Sequence, residues 1–175
     1  IGCCLLMPFL FFKNGTVADQ NSIKKIDEYD GFFEQETETL LEYFRPTKEA
    51  AARHGIEFSQ MHAPFPVAIY GEAQKNDYMI MVVEKCLEVC KYLNCPAIVV
   101  HPVSCDDIEI EREINFQMYR KLIPAAKKTG VKICLENLFR RYSEKIREGV
   151  CADVSEACRY IDTLNQEAGA ELFGF

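Results

Sequence analysis

Short apolar runs alternate with longer amphipathic runs along the whole chain, and this alternation restricts the fold more than any other feature. Ile1 to Met7 reads as a strand, and Thr16 to Tyr29 has helical spacing with Ile23 and Ile26 on one face. Residues 31–34 (GFFE) read as a short strand. Glu38 to His54 is helical, with an interruption expected at Pro46 and a stop at His54-Gly55. IEFSQMH (56–62) is the next strand. Lys75 to Asn94 is the clearest helix, carrying Met79, Val82, Val83, Cys86, Leu87 and Cys90 at helical spacing. PAIVVHP (96–102) reads as a strand covered on both faces. Glu111 to Thr129 is helical, with a bend expected at Pro124 and an end at Gly130. VKICLEN (131–137) is a strand, Asp153 to Gln166 a helix, and ELFGF (171–175) opens a further strand.

Strict strand–helix alternation implies a parallel sheet with right-handed crossovers, hence an α/β fold. Two architectures satisfy it. An open doubly wound sheet is complete at five or six strands, and the chain length of 175 residues alone favours it. A closed (β/α)8 barrel takes about 250 residues. No glycine-rich phosphate loop follows any strand, which removes the usual reason to expect a dinucleotide fold. No linker or low-complexity stretch divides residues 1–175, so one domain is expected.

The net charge of −7 and pI near 5.1, without a basic stripe, disfavour a nucleic-acid partner. The nine cysteines are odd in number and form no CxxC pair, and Cys86, Cys90 and Cys134 sit inside apolar segments. This usage fits free thiols in a reducing compartment, and a cytoplasmic location is expected. The opening IGCCLLMPFLFF lacks a basic leader, contains Pro8, and is shorter than the roughly 20 apolar residues that span a bilayer. It is read as a buried first strand and its exit, with the true start missing or processed, and no membrane partner is expected.

The polar residues then fall in a pattern. GFFE ends on Glu34, FSQMH on His62, IVVH on His101 and ICLE on Glu136. In parallel α/β folds all strand carboxyl ends lie on one face, where ligands bind. These four residues are therefore expected to share one mouth. Imidazole and carboxylate bind zinc or manganese, and a carboxylate beside a metal can take a proton from carbon next to a carbonyl. Each residue alone also fits a plainer account. A strand-end glutamate such as Glu34 is commonly solvated, and a strand-end histidine can simply bond a nearby carbonyl. His54 fits a helix end, where a cation suits the dipole. Tyr70, Arg140 and Arg141 lie in expected loops that could touch substrate or simply face water.

GIEFSQMHAPFP, CKYLNCPAIVVHP and GVKICLENL, in that order, resemble successive strand segments of the xylose isomerase-like TIM barrels. That superfamily includes sugar and sugar-phosphate isomerases and epimerases, inosose-processing enzymes, and endonuclease IV-type repair nucleases. The resemblance implies an incomplete barrel of about five and a half βα repeats, truncated after ELFGF, with a divalent ion at the strand ends. Manganese, zinc, magnesium and cobalt all suit such a site. Glu136 matches the family's fifth-strand glutamate, a metal ligand that also serves in proton transfer among the sugar enzymes. His62 and His101 match histidines that bind further zinc in the nucleases and face substrate in the isomerases; Glu34 would be a peripheral substrate contact. The implied activity is isomerisation or epimerisation of a sugar or sugar phosphate, compatible with a homo-oligomer. A metal-dependent nuclease acting at abasic sites is the rival, and a non-catalytic barrel derivative the third reading. The truncated chain is expected to show little activity alone.

Overall fold

The computed structural model describes residues 2–6, 31–142 and 145–175. In chain order its elements are β1 (Gly2–Leu6), a 3-10 turn (Phe32–Glu34), α1 (Thr37–His54), β2 (Glu57–His62), α2 (Ala73–Tyr92), β3 (Ala97–Val99) and α3 (Ile108–Thr129). There follow β4 (Lys132–Cys134), β5 (Phe139–Tyr142), β6 (Lys145–Glu148), α4 (Val154–Ala168) and β7 (Phe173–Gly174). The helix expected over residues 16–29 lies outside the described residues.

One parallel sheet has the order β1-β2-β3-β4-β7. The order never reverses. A doubly wound sheet needs a reversal, because that is where its helices change faces; a barrel wall does not. The chain therefore forms part of a TIM-barrel wall, and topology overturns the open doubly wound sheet that length alone favoured. Met61, Ile98 and Ile133 are fully buried on one face of the sheet. Val82, Val83, Cys86 and Leu87 of α2 are fully buried in the same core. Burying each aliphatic side chain of this kind contributes about 1.5–3 kcal/mol. Val99 and Cys134, pointing the other way, are only half-buried. The expectation that 96–102 is covered on both faces is thus corrected: that second face lines the barrel interior.

Four further expectations change. GFFE is a 3-10 turn, because Gly31 takes φ 74° and its carbonyl accepts from the Glu34 amide at 2.9 Å. Its apolar character serves packing: Phe33 is fully buried, and Phe32 meets Tyr43 of α1 edge-on at 4.9 Å between ring centroids. As that turn is not a strand, Glu136 follows the fourth strand of the described sheet, not the fifth. The interruption expected at Pro46 does not occur: α1 runs through it, as α3 runs through Pro124. The carbonyls they leave without a donor belong to Glu42 and Arg120, both exposed, where water can satisfy them. β5 and β6 pair antiparallel, with Arg140 opposite Arg147 and Arg141 opposite Ile146. Arg140 and Arg141 are therefore strand residues. Gly149 closes the base of this pair, since a Cβ there would come within 2.6 Å of the Leu138 carbonyl oxygen.

The loops that leave the strand ends are held from the helices by asparagines. After β2, the Ile69 amide donates to Asn76 Oδ1 at 2.7 Å and Asn76 Nδ2 donates to the Ile69 carbonyl at 2.9 Å. After β3, Asn115 brackets Val103 in the same way, at 2.7 and 2.8 Å. Its neighbour one turn back, Glu111, accepts the Cys105 amide at 2.8 Å. Both Asn115 and Glu111 are buried, so these bonds are made where water cannot replace them. Asn115→Leu should therefore lower stability by about 2–4 kcal/mol, since it strands a buried amide and carbonyl. Urea denaturation measures it; a change within about 0.5 kcal/mol would show that the bracket is not needed.

Candidate metal centre

Parallel pairing fixes the level of each strand tip. His62 pairs with Val99, and Val99 pairs with Cys134. His101 and Glu136 each lie two residues further on, so they stand level with one another and one pleat above His62. The two-residue alternation continues past the strand ends. Ala63, Val100 and Leu135 are buried, while His62, His101 and Glu136 are half-buried on the interior side. Backbone bonds sustain this: the Ala63 amide donates to Val99 at 2.8 Å, Val100 to Cys134 at 2.9 Å, and Leu135 to Gly174 at 2.9 Å.

The three side chains meet. His101 Nε2 lies 2.6 Å from Glu136 Oε2, and His62 Nε2 lies 3.3 Å from the same oxygen. The two Nε2 atoms are 2.9 Å apart. His62 Nδ1 lies 2.8 Å from the Ala63 carbonyl, which can only accept. That nitrogen therefore carries the proton, and Nε2 presents its lone pair to the centre. His101 Nε2–H can then donate to Glu136, with the His62 lone pair beside it. Burial lowers the His101 pKa from the ordinary 6.5; the Glu136 carboxylate opposes this, and the His62 ring reinforces it. Glu136 is the most open member, with a side chain 42% exposed against 17% for His62 and 19% for His101.

Two imidazoles and a carboxylate within 4.8 Å of one another make a donor set suited to a divalent ion. The Ala63 carbonyl supplies the outer hydrogen bond that commonly fixes a ligating imidazole. The residues present therefore fit the metal that the sequence implied. Among the described residues no other group of three such side chains converges.

The remaining candidates separate from this group. Glu34 is exposed on the 3-10 turn and is not a member of it. His54 ends α1 and is exposed, as a helix-end role requires. Tyr70 is exposed in the loop after β2. One residue that sequence reasoning passed over is Phe65. Its ring stacks on His101 at 4.4 Å between centroids and 22°, and meets His62 edge-on at 5.8 Å. The signal was an aromatic three residues beyond the strand-end histidine, in HAPFP. Asn115 and Glu111 were also missed, although both occupy the stripe that continues with Met118, Leu122 and Ala126. A polar residue on an apolar stripe is the signal there.

The family described as "Xylose isomerase-like TIM barrel" matches residues 26–171. A D-tagatose 3-epimerase-like protein superposes with a TM-score of 0.59 at 15% identity, over 91% of this chain and 51% of its own. The 3-keto-D-glucoside 4-epimerase of E. coli, in its apo form, gives 0.59 at 18% identity over 79% and 54%. A xylose isomerase domain protein from Planctomyces limnophilus gives 0.55 at 12% identity over 77% and 48%. The chain thus spans about half the length of these structures, and at such identities the likeness concerns the fold. No curated protein matches the chain.

The site also fixes the sign of a titration. In chelator-treated protein, His101 should titrate below 6.5 by NMR. Glu136→Gln should lower that value further, and His62→Ala should raise it. Because the folded value lies below the unfolded one, this group's stabilisation is present above pH 6.5 and is lost as pH falls through the folded value. An upward shift of His101 in the unsubstituted protein would contradict the arrangement.

Proposed function

The chain belongs to the xylose isomerase-like TIM barrel family, and from that premise we propose that it carries the active centre of a divalent-metal-dependent sugar or sugar-phosphate isomerase or epimerase. The observation behind this reading is the meeting of His62, His101 and Glu136 at the open end of three adjacent parallel strands. The epimerases among the similar structures support the same reaction class.

An ion bound by Glu136, with His62 and His101 as further ligands or as contacts to substrate hydroxyls, supplies a Lewis acid for a carbonyl or hydroxyl oxygen. Manganese, zinc, magnesium or cobalt would serve. Glu136 is the group with room to meet a substrate carbon, and it takes the proton from the carbon next to the carbonyl. Returning that proton to the neighbouring carbon isomerises; epimerisation needs a second acid on the opposite face of the same carbon to supply a different proton while Glu136 keeps the first. Phe65, against both imidazoles, keeps water from one side of the pair and limits their rotation.

The abasic-site nuclease reading draws on the paired strand-end histidines alone. The net charge of −7 works against a phosphate backbone.

Metal-loaded protein in deuterated buffer should exchange a carbon-bound proton of a ketose or ketose phosphate, followed by NMR. Glu136→Gln should slow exchange by about 10²–10⁴-fold. His62→Ala and His101→Ala should each weaken metal binding by at least about tenfold, read by calorimetry. Cleavage of abasic DNA without sugar exchange would transfer the proposal to the nuclease; absence of metal uptake would reject both enzymes in favour of a non-catalytic barrel.

A further inference from the structure

At the opposite end of the sheet, where α2 turns into β3, the chain closes its helix with an asparagine and two cysteines. The Asn94 amide donates to the Lys91 carbonyl at 3.2 Å, and the Cys95 amide donates to the Cys90 carbonyl at 2.8 Å. Asn94 takes φ 56°, the left-handed conformation of this type of helix end. Together these bonds make a Schellman motif, in which the side chains three positions inside and two positions outside the helix end normally touch through apolar contact. In this chain those two positions are Cys90 and Cys95.

We propose that Cys90 and Cys95 are a dithiol site that a peroxide converts reversibly to a disulfide. Two Cα atoms joined through one carbonyl–amide contact of this length fall within the roughly 4.4–6.8 Å span that a disulfide needs. The Cα separation therefore meets the requirement for the bond. The thiols are already distinct in character. Hydrogen bonding from Cys90 lowers the Cys95 pKa to about 7, while the same contact, with burial, raises that of Cys90. Cys95 is thus the more acidic of the two thiols; its Sγ lies 3.3 Å from the Ala97 carbonyl oxygen, and Cys90 Sγ lies 3.3 Å from the Met61 sulfur. By contrast Cys86, one turn earlier in α2, is raised by burial alone and stays inert. Both sulfurs of the pair are buried, but Cys95 lies between residues that line an open cleft. Leu93, Asn94 and Pro96 border that cleft of about 500 Å³ with Ile56 and Lys48, so the residues on either side of Cys95 face it although neither cysteine lines it.

The step balances as follows. The Cys95 thiolate attacks one peroxide oxygen, the S–O bond forms as O–O breaks, and the leaving hydroxide takes up a proton to become water. Cys90 then loses its proton and attacks the Cys95 sulfur, S–S forms as S–O breaks, and a second water leaves. The two thiols have been oxidised and the peroxide reduced.

The full chain is treated with hydrogen peroxide, blocked with an alkylating reagent and digested with trypsin. Cleavage after Lys85 and Lys91 leaves Cys90 and Cys95 on separate peptides. The expected product is those two peptides joined, lighter by two hydrogen atoms than their sum and separated by dithiothreitol. Cys86→Ser should leave the joined product unchanged, while Cys90→Ser and Cys95→Ser should each abolish it. If either of the last two variants fails to fold, fragmentation of the unsubstituted product still identifies the linked sulfurs. Linkage through Cys86, or modification confined to the exposed Cys158 with Cys90 and Cys95 recovered as thiols, would overturn the proposal.

Discussion

Parallel register is the constraint from which the site follows. A side chain in a parallel sheet keeps the face and level of its partner on the next strand. Once His62 is opposite Val99 and Val99 opposite Cys134, the direction of three polar side chains is decided together. A slip of one residue in any of these strands would turn its polar tip into the helix layer and bring Ala63, Val100 or Leu135 to the interior. The buried row Met61, Ile98 and Ile133 prevents that slip, because each strand would lose its burial against the helices. The apolar core therefore specifies the polar site: what must be hidden on one face determines what is presented on the other.

Register alone leaves the last residues free, because β3 and β4 end two residues before His101 and Glu136. The outgoing loops supply the remaining restraint. Asn115 and Glu111 hold the backbone at Val103 and Cys105, and Tyr119 donates to the Val100 carbonyl at 2.8 Å. All three belong to α3, so a single helix governs where His101 stands. On the β2 side Asn76 holds Ile69, which anchors the far end of the segment carrying Phe65. Buried polar groups of this kind stabilise only when every bond is made, which ties loop position to helix position.

Much of this was legible in the sequence because two signals coincide there. Apolar alternation marks β2, β3 and β4, and each run stops on a residue that an unpaired interior would not tolerate. Their strand-end positions placed His62, His101 and Glu136 at one mouth, and there the three side chains meet. Glu34 failed the same logic for a local reason. Phe32 and Phe33 are apolar because they pack on α1, and Gly31 curls the backbone before it can extend. Periodicity over four residues cannot separate a strand from a buried turn. The β5–β6 pair was hidden for the opposite reason. Its sequence is mostly charged, and Phe139 and Ile146, the residues with strand-like character, are exposed. Nothing in a core-facing pattern reports an element that faces away from the core.

The hydrogen-bond arrangement also bears on how the centre would accept a cation. With Nδ1 of His62 committed to the Ala63 carbonyl, three acceptors converge: the His62 lone pair, the Glu136 oxygen and His101 Nε2. Two like lone pairs and a carboxylate at 2.6–3.3 Å repel unless something positive lies among them. A single proton on His101 Nε2 meets that need, shared toward the carboxylate and the facing imidazole. It leaves the site complete without a net charge on either ring, consistent with a His101 that resists further protonation. A divalent ion at His101 Nε2 would require the other neutral tautomer, with that ring's proton on Nδ1, and protonation of either imidazole would compete with the ion, so metal binding weakens as the solution becomes more acid. The three atoms that surround this proton are also the ones a divalent ion would use.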